Sequence, residues 1–223
     1  MPRLRFQSNE FTPAEAERIT GVSVTQQRNW RRYGYLPKSL GQHARFNPHQ
    51  LAAMTIMQTL SERGIGPGAS REISPLIGAH VIYYACLWDP DAFEDRTGLD
   101  FSWYGSGEKR IANQVAFWSV QDDINPAQFC VWYADGSYKF CDDLGQAFNR
   151  IFTDDEQMGG ACIVIELQGI AASLLDRTER PLFIAELAPD DDADKFPEFP
   201  DLDIADVMKG GSGDAGGNQG HAK

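Results

Sequence analysis

The sequence is poor in the residues that metal and redox chemistry need. It holds four cysteines and four histidines in 223 residues. Cys86, Cys130, Cys141 and Cys162 form no C-x-x-C pair, and His43, His49, His80 and His221 are scattered. Zinc-ligand spacing is therefore missing, and no metal or cofactor site is expected. Reduced, buried thiols are the default reading of such cysteines. No apolar run is long enough to span a membrane. Nothing apolar follows Met1-Pro2-Arg3-Leu4-Arg5-Phe6 as it would in a secretory signal. A cytoplasmic protein with no membrane partner is expected. No P-loop lysine motif and no G-x-S-x-G turn occur. The paired acids Asp122-Asp123, Asp142-Asp143 and Asp154-Asp155 have no histidine among them and read as caps and solvated turns. No constellation points to an enzyme.

Positive charge is also scarce, with 20 Lys and Arg against 32 Asp and Glu, a net charge of −12. Taken whole, that argues against a nucleic-acid partner. The scarcity is uneven, however. Residues 1–65 hold nine basic and four acidic residues, so +5, while residues 66–223 hold eleven and twenty-eight, so −17. A basic head on an acidic body suits a DNA reader that carries a separate module. Hydrophobic residues at 42% suffice for one large domain or two small ones.

The head is organised around Thr20-Gly21-Val22-Ser23, where two short helical patterns meet. The first starts at Thr12, an N-cap followed by Pro13 and by Glu15, which together make a capping box. Gly21 suits the positive φ that ends that helix. Ser23 caps a second helix, about Val24 to Tyr33, anchored by Val24 and Trp30. Its polar residues are the amides and guanidiniums that reach base edges and phosphates in a major groove. Gln26, Gln27 and Asn29 are expected at base edges. Ser23 completes the DNA-binding set, with Thr25, Arg28, Arg31, Arg32 and Arg45 expected at phosphates. After Gly34-Tyr35-Leu36-Pro37, a basic loop from Lys38 to Arg45 can form a wing beside the groove. A third helix is expected from about Pro48 to Arg63, ended by Gly64-Ile65. The pattern is a helix-turn-helix with a wing.

Gly21-Val22-Ser23, Arg28, Trp30, Arg32, Gly34, Leu36-Pro37, Phe46, Leu51, Leu60 and Gly64-Ile65 stand in the register of a known family. Over roughly Phe11 to Ile73, under a third of its length, the chain resembles the MerR family of bacterial winged-helix DNA-binding domains. The resemblance implies a recognition helix at 23–33, a wing near 38–47 and a homodimer on a near-palindromic operator. By position, Arg28 corresponds to the family's phosphate-clamping helix arginine and Trp30 to its aromatic near the helix end. Gln27 stands where an apolar residue is usual, and Arg31 where an acid is common. Arg45 directly precedes Phe46, where the family usually has one residue between. In the family a long helix after the head usually forms an antiparallel dimer coiled coil. Here the apolar segment through Ile77, Val81, Tyr84 and Trp88 contains Pro75 and stops before Asp89-Pro90, so packing against its own body is the competing expectation.

The body reads as mixed α+β. Short strands are expected at Asp100–Tyr104 and Val115–Val120. Asp135-Gly136 predicts a two-residue hairpin turn. That register faces Tyr133 with Tyr138, Val131 with Phe140 and Cys130 with Cys141, and puts Phe129, Val131, Tyr133, Tyr138 and Phe140 on the core face. Cross-strand cysteines would lie within disulfide reach, so a redox switch at Cys130 and Cys141 is one expectation and ordinary packing the other. Leu144 to Phe152 reads as a helix, Cys162–Leu167 as a strand, Ile170 to about Arg177 as a helix and Leu182–Leu187 as a last strand. Tyr83, Tyr84, Trp88, Trp103, Tyr104, Trp118 and Trp132 serve either the core or a small-molecule pocket. From Pro189 the chain is acidic and then Gly-rich, and disorder is expected. Such a tail can compete for the basic head or simply aid solubility.

The fold class expected is α+β: an all-α winged helix-turn-helix head at 1–66, a linker helix and mixed α+β body at 67–188, and a disordered acidic tail at 189–223. The function expected is a sequence-specific DNA-binding transcription regulator. Its partners would be double-stranded DNA, a second copy of the chain, and a small-molecule effector or a protein at the body. The alternative is a DNA-associated adaptor or architectural protein, chromosome-organising or phage-derived, with no inducer.

Overall fold

A computed structural model describes residues 3–38, 44–99, 102–105, 107–117, 125–145, 161–188 and 202–203. Its first element is a strand, β1 (Arg3–Ser8), where Leu4 and Phe6 are buried. The head is therefore not the all-α unit expected from the sequence. β1 lies antiparallel to β6 (Phe183–Ala188), from Arg3 opposite Ala188 to Ser8 opposite Phe183. Two segments at opposite ends of the chain thus close one sheet, a pairing that no local pattern encodes. β2 (Phe93–Asp95) runs parallel to β6 on one side, and β7 (Leu202–Asp203) pairs with Arg3 and Leu4 on the other. The strand order is β2-β6-β1-β7. Apart from β7, the tail from Pro189 lies outside the described residues, as do residues 118–120 and the expected helix beyond Gly145.

The helices begin and end where capping chemistry allows. α1 (Pro13–Thr20) has the full capping box: Thr12 Oγ1 accepts from Glu15 N, and Glu15 accepts from Thr12 N at 2.6 Å. Gly21, at φ 75°, closes it with its N–H on the Glu17 carbonyl. α2 (Val24–Arg32) follows after the three residues Gly21, Val22 and Ser23, the last of which caps it. α3 (Pro48–Ser61) opens with a second capping box, Asn47 and Gln50, which makes Pro48 an ideal first helical residue. A single turn, α4 (Pro67–Ser70), leads into α5 (Ser74–Trp88).

Every residue from Ile77 to Cys86 is buried, so α5 is covered on all sides. It packs against α3, against α7 (Glu108–Phe117) and against α8 (Leu167–Arg177). A helix enclosed in this way cannot present a coiled-coil seam to a second copy. At Gly78 the α3 and α5 backbones nearly touch: a Cβ there would lie 2.9 Å from Ala53 N. Head and body share a single contiguous core that runs from Leu4 and Phe6 through Leu51 and Ile77 to Leu174 and Phe183.

Two expected strands are helices. Ser102–Gly105 forms a short helix, α6, and Val115 to Phe117 closes α7, whose buried Ile111, Ala112 and Val115 recur at helical spacing. The hairpin of β3 (Phe129–Tyr133) and β4 (Tyr138–Cys141) is real, but its register is shifted by one residue. Tyr133 N bonds the Ser137 carbonyl and Gly136 N bonds the Tyr133 carbonyl, with Gly136 at φ 85°. The loop is thus three residues long, a turn followed by a left-handed glycine. Because strand side chains alternate, the shift exchanges the faces. Cys130, Trp132 and Phe140 now meet the main core, while Val131, Tyr133 and Cys141 form a small cluster of their own. Cys130 pairs with Phe140, and Cys141 with Phe129, so the two cysteines point to opposite faces and the expected redox pair is not formed. β5 (Cys162–Glu166) completes the sheet, in the order β4-β3-β5.

Candidate nucleic-acid interface

α2 is fixed on one side and free on the other. Trp30 is 4% exposed, and Gln27 is fully buried. The Gln27 amide donates to the Pro13 carbonyl at 2.9 Å and to the Val22 carbonyl at 2.8 Å, tying α2 to the start of α1 and to the turn. Gln27 is therefore a core residue and not a base reader. The Val22 carbonyl lies in the turn, outside either helix, and the amide gives it a donor that an aliphatic residue would not, while the Pro13 carbonyl is already bonded as the first of α1.

The exposed positions of α2 are Thr25, Arg28, Asn29 and Arg32, at i, i+3, i+4 and i+7. That spacing gathers them on one solvent-facing stripe. Gln26 borders the stripe and donates to Gln58 Oε1 on α3 at 3.2 Å. Ser23 accepts from Gln26 N at 3.2 Å, so its hydroxyl caps the helix.

The two remaining arginines do different things. The Arg31 guanidinium lies 4.4 Å above the ring of Phe46. Partial burial lowers its pKa from the usual arginine value. Arg31 thus packs against Phe46, just ahead of α3, and leaves the exposed stripe. Arg45 is exposed and lies 3.9 Å from Glu10. Phe46 and Phe11 exchange both backbone hydrogen bonds, at 2.8 and 2.9 Å, anchoring the residues before α3 to those before α1. Residues 39–43, within the expected wing, lie outside the described residues.

One residue was not singled out by sequence. Tyr33 follows the stripe and is 58% exposed, the most open of the exposed large hydrophobic side chains. Arg32 Nη2 donates to its hydroxyl at 2.8 Å, and its guanidinium lies 4.9 Å from the ring centroid. An aromatic just after two arginines was the available signal.

Residues 11–75 match the family described as MerR HTH family regulatory protein. The head is a MerR-type helix-turn-helix domain. No curated protein and no solved structure matches the chain. The MerR-type match covers α1, the turn, α2 and α3, and it ends inside α5. A domain of this family points to a DNA-binding transcription regulator. Among the described residues, no helix is long and apolar enough to cross a membrane. Asp143 Oδ1 accepts from Gly145 N as a turn cap, and Asp142 Oδ1 accepts from Gln128 N across the base of the hairpin.

Proposed function

We propose that this chain is a sequence-specific transcription regulator that binds double-stranded DNA through α2. The observation that carries this reading is the stripe of Thr25, Arg28, Asn29 and Arg32 on a helix whose opposite face is locked by Gln27 and Trp30. Asn29 matches the bidentate chemistry of adenine, and Arg28 and Arg32 match phosphate or guanine. Thr25 and Ser23 stand at the helix N-terminus, where backbone N–H groups favour a phosphate. Gln26 reaches a base edge only by releasing Gln58. Arg45 and Tyr33 flank the stripe as backbone contacts.

The chain acts as a homodimer on a near-palindromic site, because one short helix reads too few base pairs to specify an operator. With α5 enclosed, the surface that joins two copies lies elsewhere than in the helix that the family uses. Selection from a random duplex pool, followed by sequencing, tests this reading. A recurring two-fold motif is expected, and recovery of the input distribution contradicts it.

A further inference from the structure

A groove of about 650 Å³ opens where the C-terminal ends of α5 and α8 come together, away from the α2 stripe. Its walls include Tyr84 and Trp88, and its rim carries Asp89, Asp91, Asp176 and Glu179. Trp88 is 51% exposed although it ends a helix that is otherwise enclosed, and its ring lies 5.2 Å from that of Tyr84. α5 stops at Trp88 and α8 at Arg177, and of their last carbonyls Cys86 O accepts from the Tyr104 hydroxyl, Leu175 O from Thr178 and Arg177 O from Arg18, so the negative potential of the groove rests on its carboxylates.

The charges of the rim are unequally committed. Arg180, the guanidinium among the lining residues, lies 3.3 Å from Glu15 and 4.4 Å over the ring of Phe11. Glu179 is 3.2 Å from Arg18. Asp89 accepts from Asp91 N at 2.8 Å. Asp91 and Asp176 are exposed and have no ion-pair partner among the described residues. Negative potential of this kind rejects an anion. The open indole face adds what a hydrated metal ion cannot use: an aromatic surface that attracts a cation clothed in carbon.

We propose that this groove binds a small organic cation, a quaternary or protonated amine, with Trp88 against its charged head and Asp91 and Asp176 as counter-charges. A cavity of this size, with an aromatic wall and a rim of carboxylates, matches a small cationic molecule in size and charge.

Calorimetric titration of the full chain with benzyltrimethylammonium, benzyl alcohol and benzenesulfonate tests the proposal. The cation is expected to bind at least threefold more tightly than the neutral alcohol, and the sulfonate more weakly than either. Trp88→Ala is expected to weaken the cation at least threefold, and Asp91→Asn with Asp176→Asn to do the same and to flatten the salt dependence. These side chains are exposed, and an unchanged urea unfolding midpoint confirms that each variant is folded. A cation that binds no better than benzyl alcohol, or an affinity unmoved by Trp88→Ala, overturns it. The titration contains no DNA, so its outcome is independent of the DNA-binding reading.

Discussion

The Arg31 guanidinium sits 4.4 Å above the Phe46 ring and joins α2 to the bridge that Phe46 makes with Phe11. A cation over an aromatic face at a half-buried site contributes about 0.5–1 kcal/mol. Arg31→Gln should therefore lower stability by about 1 kcal/mol in urea unfolding. Its effect on the salt dependence of DNA binding should be smaller than that of a phosphate contact. A stability equal to the parent's, with a full phosphate-like change in salt slope, would mean that Arg31 faces the DNA.

Gln27 supplies a second test, because its amide satisfies two carbonyls inside the head. Gln27→Ala removes both bonds, leaves the Val22 carbonyl without its donor and opens a small cavity. A loss of about 2–4 kcal/mol is expected from these effects. The base preference of whatever folded protein remains should be that of the parent. Altered preference with unchanged stability would return Gln27 to the groove.

Gly78 lies where a methyl group would meet the Ala53 backbone at 2.9 Å. Backbone cannot yield as a flexible side chain does. Gly78→Ala should cost about 1–3 kcal/mol despite the better helix propensity of alanine. A thermal midpoint at or above the parent's would show that α3 and α5 part easily.

His80 makes stability depend on pH. It is fully buried, stacks on Phe140 at 4.1 Å and accepts at Nδ1 from Ala127 N. Burial pushes its pKa from 6.5 down to about 4, opposed by the nearby Asp142 charge. The unfolded chain therefore takes up the proton first as pH falls. The contribution is complete above pH 6.5 and is lost progressively down to pH 4, by roughly 3 kcal/mol in all. His49, also lowered by desolvation, acts in the same sense. Urea unfolding between pH 7.5 and pH 4.5 should show this slope, and His80→Gln should flatten it. An equal slope in the variant would assign the effect to other groups.

How much of this was legible in sequence follows the range of the interactions. The caps at Thr12, Gly21 and Ser23 are local, and they stand where their residues put them. Gln27 was misread because an amide suits a base edge and a buried pair of carbonyls equally well. The better signal was its place in the register, where an apolar residue is usual. Asp135-Gly136 marked the hairpin correctly, but the same glycine serves a two-residue turn or the left-handed end of a three-residue one. That single ambiguity moved every cross-strand pair and both cysteines. The β1–β6 pairing joins residues 3–8 to residues 183–188, and alternation in β1 gives no hint of its partner. In α7 the short run Val115-Ala116-Phe117 fits either period, and the helix was revealed only by Ile111 and Ala112 before it.

The central claim rests on the exposed stripe of α2, and Arg28 is its most direct probe. The measurement is the affinity of the full chain for a selected duplex across a salt series, for the parent and for Arg28→Ala. The account predicts weaker binding of the variant to all sequences, with the slope of log K against log salt reduced by about 1. An affinity and a slope unchanged by Arg28→Ala would contradict it.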